Sequence, residues 1–251
     1  MRPASLLPVL VMVAACAQTG GEKYRPAAQT NDAAMSNISV GVEYMRRGEY
    51  EKALDKLERA QKADPSYPLT YNSLGVLYEL LGDDGMAEKN FKRALQLDRS
   101  NSATLNNYGR LLCKNGRVKE AEDMFRRAAK NPLYETPEIP VTNAGLCLKG
   151  AGRVDDAEDY FRRALQYNPR QPTALLQMSR LSYDRGEYMS GRGYLQRYLA
   201  EAAPTAESLW LGIQIEQQLG DKDTVSSYAL LLRNNFPESD EARKLRDSGI
   251  R

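Results

Sequence analysis

From residue 34 onward, small and apolar positions recur along the chain at a fixed interval. Gly48, Gly82, Gly116, Gly152, Gly186 and Gly220 are spaced 34, 34, 36, 34 and 34 residues apart. Five residues after each comes a mostly small residue (Ala53, Ala87, Ala121, Ala157, Gly191, Val225). Four further on lie Leu57, Phe91, Phe125, Phe161, Leu195 and Ala229, then three further Ala60, Ala94, Ala128, Ala164, Tyr198 and Leu232. Seven residues before the glycines stand Gly41, Gly75, Gly109, Gly145, Ser179 and Ile213. Steps of three, four and seven keep side chains on one face of a helix. The pattern therefore predicts a helix on each side of every glycine, six hairpins in all. Pro65, Pro169 and Pro237 fall in the slot between one hairpin and the next, where a missing N–H stops a helix.

This pattern resembles the tetratricopeptide repeat, six times over, with repeats starting near Ala34, Pro68, Ser102, Glu138, Pro172 and Ala206. The resemblance implies an all-α superhelix, an α-solenoid of six helix-turn-helix repeats over residues 34–240. The physics agrees: small residues let the two helices approach closely and the large residue fills the hole beside them. Each hairpin leaves an apolar face that only its neighbour can cover, which gives a curved stack with a concave side. Two departures stand out. The 36-residue step predicts a stiff, exposed corner at Lys130–Pro140, with prolines at 132, 137 and 140. Repeats 5 and 6 lose the small-residue pattern at Tyr198, Ile213 and Val225, so their packing should differ. Residues 241–251 are expected to form a C-terminal cap, through a polar helix over Glu238 to Asp247.

The N-terminal end follows a different pattern. After Met1-Arg2, residues Leu6 to Ala15 form an apolar run of ten, well short of the ~20 residues that span a bilayer. It reads as the hydrophobic region of a secretory signal, residues 1–16. Val13-Ala14-Ala15-Cys16 resembles a bacterial lipobox. That resemblance implies cleavage before Cys16 and lipidation there, a near-irreversible anchor. Ala17-Gln18 follow without the aspartate that retains such lipoproteins in the inner membrane, which points to the periplasmic face of the outer membrane. Residues 17–33, rich in Ala, Gly, Gln, Thr and Asn, are expected to be a flexible tether with a mean reach on the order of 20–25 Å.

Composition narrows the chemistry. Lys plus Arg total 35 against 33 Asp plus Glu, which argues against a nucleic-acid partner. Histidine is absent, which removes His bases, His-activated nucleophiles and His metal sites. No metal or organic cofactor is expected, only the covalent lipid on Cys16. Gly191-Arg192-Gly193 begins like a dinucleotide fingerprint but lacks its third glycine and a preceding strand. Asp83-Asp84 and Asp155-Asp156 sit at helix starts, where carboxylates cap and complement the dipole. These features point away from an enzyme. Lys92-Arg93, Arg126-Arg127 and Arg162-Arg163 repeat at 34 and 36. Such a ladder invites a nucleic-acid or phospholipid reading, but interspersed acids favour a solvated outer face with aliphatic stems over the core.

Cys113 and Cys147 fall on the first helices of repeats 3 and 4, at the twelfth and tenth positions of their repeats. In an oxidising compartment they form either a disulfide or two buried thiols. The tetratricopeptide resemblance implies a ligand groove built from positions 2, 5, 9, 12 and 13 of each first helix. Carried onto this chain, repeat 1 offers Met35, Ile38, Val42 and Met45, and repeat 2 offers Leu69, Asn72, Val76 and Leu80. Repeat 3 supplies Asn106, Arg110 and Lys114, repeat 4 Thr142, Leu146 and Lys149, and repeat 5 Leu176, Arg180 and Tyr183. The N-terminal third is apolar and adaptable; the middle carries amides and cations suited to a peptide. A chaperone-tail clamp would need Lys and Arg where Ala103 and Asn107 stand. Packing under the tether or a preceding helix is the alternative reading of the apolar stripe.

Leu105-Asn106-Asn107-Tyr108-Gly109, Gly145-Leu146-Cys147, Ser208-Leu209-Trp210-Leu211-Gly212 and Phe236-Pro237-Glu238-Ser239, in that order behind a lipobox, resemble the PilF/PilW family of type IV pilus biogenesis lipoproteins. The resemblance implies a pilotin, a non-enzymatic adaptor that helps the pilus secretin reach the outer membrane and multimerise. Its expected partners are the secretin subunit, outer-membrane lipid through acylated Cys16, and other pilus-assembly proteins. The alternatives are a repeat adaptor serving β-barrel insertion or peptidoglycan hydrolases, and a hydrolase working with carboxylates alone.

Overall fold

The computed structural model describes residues 27–250, with side chains from residue 32. The signal segment, Cys16 and residues 17–26 lie outside the described residues. Among the described residues the chain forms thirteen helices and no strand. Six antiparallel pairs follow one another: α1 (Ala27–Arg46) with α2 (Tyr50–Ala63), α3 (Pro68–Leu80) with α4 (Asp84–Leu97), and α5 (Ser102–Lys114) with α6 (Val118–Lys130). Then come α7 (Glu138–Gly150) with α8 (Val154–Tyr167), α9 (Pro172–Asp184) with α10 (Tyr188–Glu201), and α11 (Ala206–Leu219) with α12 (Lys222–Asn235); α13 (Asp240–Asp247) closes the stack. First helices touch first helices of the next repeat, so they line the inner, concave side.

Each hairpin turns at its glycine because the backbone there must enter the left-handed region. The six hinge glycines have φ between 73° and 78°, a conformation that costs other residues 1 kcal/mol or more. Inside the hairpin the second helix supplies a fully buried triplet: Ala87, Phe91 and Ala94 in α4, then Ala121, Phe125 and Ala128 in α6, and Ala157, Phe161 and Ala164 in α8. The phenylalanine lies against the first-helix glycine. A Cβ on Gly75 would sit 2.5 Å from Phe91, and one on Gly145 2.6 Å from Phe161.

Repeats 5 and 6 solve the same packing problem differently. In repeat 5, Ser179 replaces the glycine and Leu195 the phenylalanine, and the Ser179 hydroxyl donates to the carbonyl of Gly191 at 2.8 Å. The serine is thus satisfied inside the core, as a buried hydroxyl requires. In repeat 6 the large and small partners exchange helices. Ile213 on α11 and Ala229 on α12 are both fully buried, while Gly212, one residue earlier, takes the ring of Tyr228, with a Cβ there 2.8 Å from it. Total volume is conserved, which cores tolerate. α13 then covers the exposed end, burying Ala242 and Leu245 against Leu209, Ile213 and Leu232.

Three expectations are corrected in detail. α1 begins at Ala27, so the last seven residues of the expected tether 17–33 are helical; Ala27, Ala28 and Ala33 favour helix and the run contains no glycine or proline. The corner between repeats 3 and 4 ends earlier than Pro140, which is buried in the first turn of α7, where no intrahelical donor is needed. Leu133 at its tip is 87% exposed. Of the acidic pairs, only Asp83 acts as a side-chain cap, accepting from the Met86 N–H at 2.9 Å, while Asp84, Asp155 and Asp156 stand in first turns as the dipole reading expects. Asp84 pairs with Lys114 and Asp155 with Arg185, each at 2.7 Å, and Asp156 with Arg153 at 2.7 Å. The carboxylates are held by cations of different helices and do not converge.

Cys113 and Cys147 are joined by a disulfide between α5 and α7, with Cα atoms 5.8 Å apart. The partners are 34 residues apart in a step of 36, so inequivalent repeat positions meet because the longer connection displaces α7 by two residues.

Candidate partner-binding groove

The concave face has two parts of different chemistry. At its N-terminal end the face between α1 and α3 holds an open trough of about 540 Å³ lined by Ile38, Val42, Met45, Leu69, Asn72 and Val76, with Glu43 and Arg46 among its further lining residues. Six of the eight groove residues expected in repeats 1 and 2 therefore share one depression. Their exposures divide their roles. Ile38 is 4% exposed and packs in the core with Leu57 and Leu77, so it forms floor, whereas Leu69 is 38% exposed and forms the lip. Met35 and Leu80 are each 50% exposed and lie outside the trough. The trough is uncovered by α1, which itself forms one wall, so no described preceding helix fills it.

Further along, the face is polar and cross-linked between repeats. Asn107 donates to Asn72 at 3.1 Å, and Asn143 donates to Asn106 at 2.8 Å. Lys149 donates to Gln177 at 2.6 Å and Arg180 to Gln214 at 3.3 Å. Asn72 and Asn106 are buried at 8% exposure, so the ladder is both floor and staple. Arg110 reaches back to Glu79 at 3.4 Å and stays exposed. Burial lowers the pKa of Lys149, and the Arg180 charge adds to the effect. Asn143, Gln177 and Gln214 did not emerge from the groove positions read in the sequence; the recurrence of amides at Asn107, Asn143 and Gln177, in steps of 36 and 34, is a signal for the first two, and Gln214 falls outside it.

A polar cluster on the other side of the stack ties repeats 2 and 3. Glu88 accepts from Tyr108 at 2.7 Å and from Arg117 at 2.7 Å, and pairs with Lys92 at 2.8 Å. Hydrogen bonds from Lys92 and Arg117 hold its carboxyl down at about 2, against burial. Burial and the Glu88 contact push the Tyr108 phenol up to about 12. The pattern is that of a saturated ion-pair network, in which Glu88 and Tyr108 are both driven away from neutrality. Among the described residues no group of three or more His, Cys, Asp or Glu side chains is placed to hold a metal, and no helix is long and apolar enough to cross a membrane.

A stack of glycine-hinged hairpins with an open inner trough defines a tetratricopeptide-repeat protein. Family profiles agree: a TPR repeat matches residues 41–82, and tetratricopeptide repeats match 69–101, 90–123 and 148–210. The type IV pilus assembly protein PilF of Pseudomonas aeruginosa is 29% identical over 202 residues, 80% of each chain. A solved structure of P. aeruginosa PilF superposes with a TM-score of 0.79 at 30% identity, covering 88% of this chain and 99% of that one. The crystal structure of PilW, a type IV pilus biogenesis factor, gives 0.75 at 29% identity, with 86% and 99% covered. The chain belongs to this PilF/PilW family of tetratricopeptide-repeat proteins.

Proposed function

We propose that the protein is a non-enzymatic adaptor of type IV pilus assembly: an outer-membrane lipoprotein, anchored through Cys16, that binds the pilus secretin subunit and promotes its localisation and multimerisation. The observation that carries the reading is the apolar trough at Val42, Leu69 and Val76, open at the repeat nearest the N-terminal chain. Family membership and the similarity to PilF support the pilus role. The lipobox-like Val13-Ala14-Ala15-Cys16 supports the anchor and the periplasmic face of the outer membrane. An extended or helical segment with two or three apolar side chains fits the trough, and the amide ladder beyond it offers donors and acceptors to a peptide backbone.

Deleting the gene tests this. The expected result is secretin left as monomers in the wrong membrane. Normal amounts of heat-stable secretin rings in the outer membrane would refute it, and co-purification of the lipidated protein with a barrel-assembly complex or a peptidoglycan hydrolase would move it to another adaptor class.

A further inference from the structure

Arginine recurs at one position on five successive second helices. Arg59, Arg93, Arg127, Arg163 and Arg197 are each the tenth residue of α2, α4, α6, α8 and α10. The residues just before three of them are neutralised within their own helix: Lys92 by Glu88, Arg126 by Asp123 and Arg162 by Glu158. The column itself is not. Among the described residues Arg93, Arg163 and Arg197 have no carboxylate within 4.0 Å, Arg127 reaches Asp123 only at 3.8 Å, and Arg59 alone has a close partner, Asp55 at 3.1 Å. Arg93, Arg163 and Arg197 lie instead over the rings of Tyr71, Tyr160 and Tyr194 at 5.2–5.6 Å. Stacking holds a guanidinium in place while leaving its N–H edges and full charge outward.

The arginines of the hinge-side ends behave differently. Arg117, Arg153 and Arg185 each bridge two carboxylates, one or both of them in the preceding repeat. The unneutralised column therefore belongs to the opposite edge, where second helices end and first helices begin. Arg127 donates to the carbonyl of Arg99 at 3.2 Å and Arg197 to that of Pro169 at 2.7 Å, both in connections between repeats. Of the acids at this edge, Glu201 is paired with Arg170, while Asp64 and Asp98 accept from the hydroxyls of Ser66 and Ser100 and keep their charge beside the column.

α1 also enters from this edge, since each repeat is an antiparallel hairpin, and its residues 27–33 extend about 10 Å past the start of the repeat. Only ten residues, 17–26, separate Cys16 from Ala27, a length that spans at most about 40 Å. We propose that this arginine-bearing edge faces the leaflet in which the chain is anchored and binds its anionic phospholipid headgroups, so that the repeat stack stands on the membrane in one orientation and its hinge edge points away. The inference rests on the proposed anchor at Cys16. Basic side chains near an anionic surface gain through exposure to its potential, and the gain is screened by salt.

The test uses the lipidated protein reconstituted in vesicles of phosphatidylcholine alone, or with about one third phosphatidylglycerol, with arginine reactivity toward phenylglyoxal read residue by residue by mass spectrometry. Reactivity of Arg93, Arg163 and Arg197 is expected to fall about fivefold in the anionic vesicles and to recover at about 0.5 M salt. Arg46, at the hinge edge, should react alike in both. The triple variant Arg93→Gln, Arg163→Gln, Arg197→Gln, checked for an unchanged helical spectrum, should lose the anion-dependent protection of Arg59 and Arg127. Flotation with both vesicle types but equal ladder reactivity would overturn the orientation while leaving the anchor intact. Failure to float with neutral vesicles would overturn the anchor and this inference with it.

Discussion

Gly109 on α5 lies flat against the ring of Phe125 on α6, so close that a Cβ on the glycine would stand 2.7 Å from the ring carbon Cε1. The contact explains why a residue that weakens helices sits in mid-helix here. Glycine costs about 1 kcal/mol relative to alanine in a helix interior, and that cost is offset by a buried phenylalanine and a close helix approach.

Gly109→Ala therefore destabilises despite its better helix propensity, by roughly 1–3 kcal/mol of overpacking. Gly41 faces the more yielding side chain of Leu57, with a Cβ 3.0 Å away, so Gly41→Ala costs less. Urea unfolding of the two variants checks the order, and Gly109→Ala combined with Phe125→Leu recovers part of the loss.

Reduction of the Cys113–Cys147 bond, or Cys113→Ser with Cys147→Ser, lowers stability by about 2–4 kcal/mol through the freed loop. Hydrogen exchange then rises most in α5 and α7, which the bond joins. A thermal scan with and without reductant, followed by exchange mass spectrometry, measures both.

Glu88 makes stability depend on acid. Its folded value near 2 lies below the ordinary 4.5, so its contribution is complete above pH 4.5 and is lost as pH falls through about 2. Allowing for solvent screening, the amount is on the order of 1–2 kcal/mol. Glu88→Gln removes it at neutral pH and flattens that part of the stability profile, which denaturation between pH 6 and about 2 reads directly.

Leu69→Asp places a carboxylate in the trough at a site already 38% exposed. The thermal midpoint changes little, because the side chain contributes little to the core. If the proposed secretin segment occupies the trough, its affinity falls tenfold or more, roughly the loss of one apolar anchor plus the desolvation of a charge. Titration calorimetry with secretin fragments checks it.

Much of this architecture is legible in the sequence because its requirements are few and local. A hinge needs φ near 75°, so glycine marks it; a close helix pair needs a small residue opposite a ring, so Gly75 and Phe91 announce each other across the hinge. Where another pairing meets the same need, the pattern fades. Ile213 and Ala229 exchange the roles of large and small residue, and Gly212 with Tyr228 shifts the contact by one position, so repeat 6 reads as degenerate although both Ile213 and Ala229 are fully buried. The trough was legible as a stripe of first-helix positions, but not the division between Ile38 as floor and Leu69 as lip, which depends on which side chains pack against Leu57 and Leu77. The amide ladder depends on partners one repeat away; the basic ladder is visible as a recurrence, but which of its members are paired with acids and which stack on tyrosines is not.

The central claim is that the trough between α1 and α3 grips the pilus secretin, and crosslinking in living cells tests it most directly. A photoreactive amino acid replaces Leu69 in the trough or, as a control, Met189, which is 65% exposed on α10. The account predicts a crosslinked product containing the secretin subunit from position 69 and none from 189. Secretin crosslinks of equal yield from both positions, or products from 69 that contain a barrel-assembly protein or a peptidoglycan hydrolase and no secretin, would contradict it.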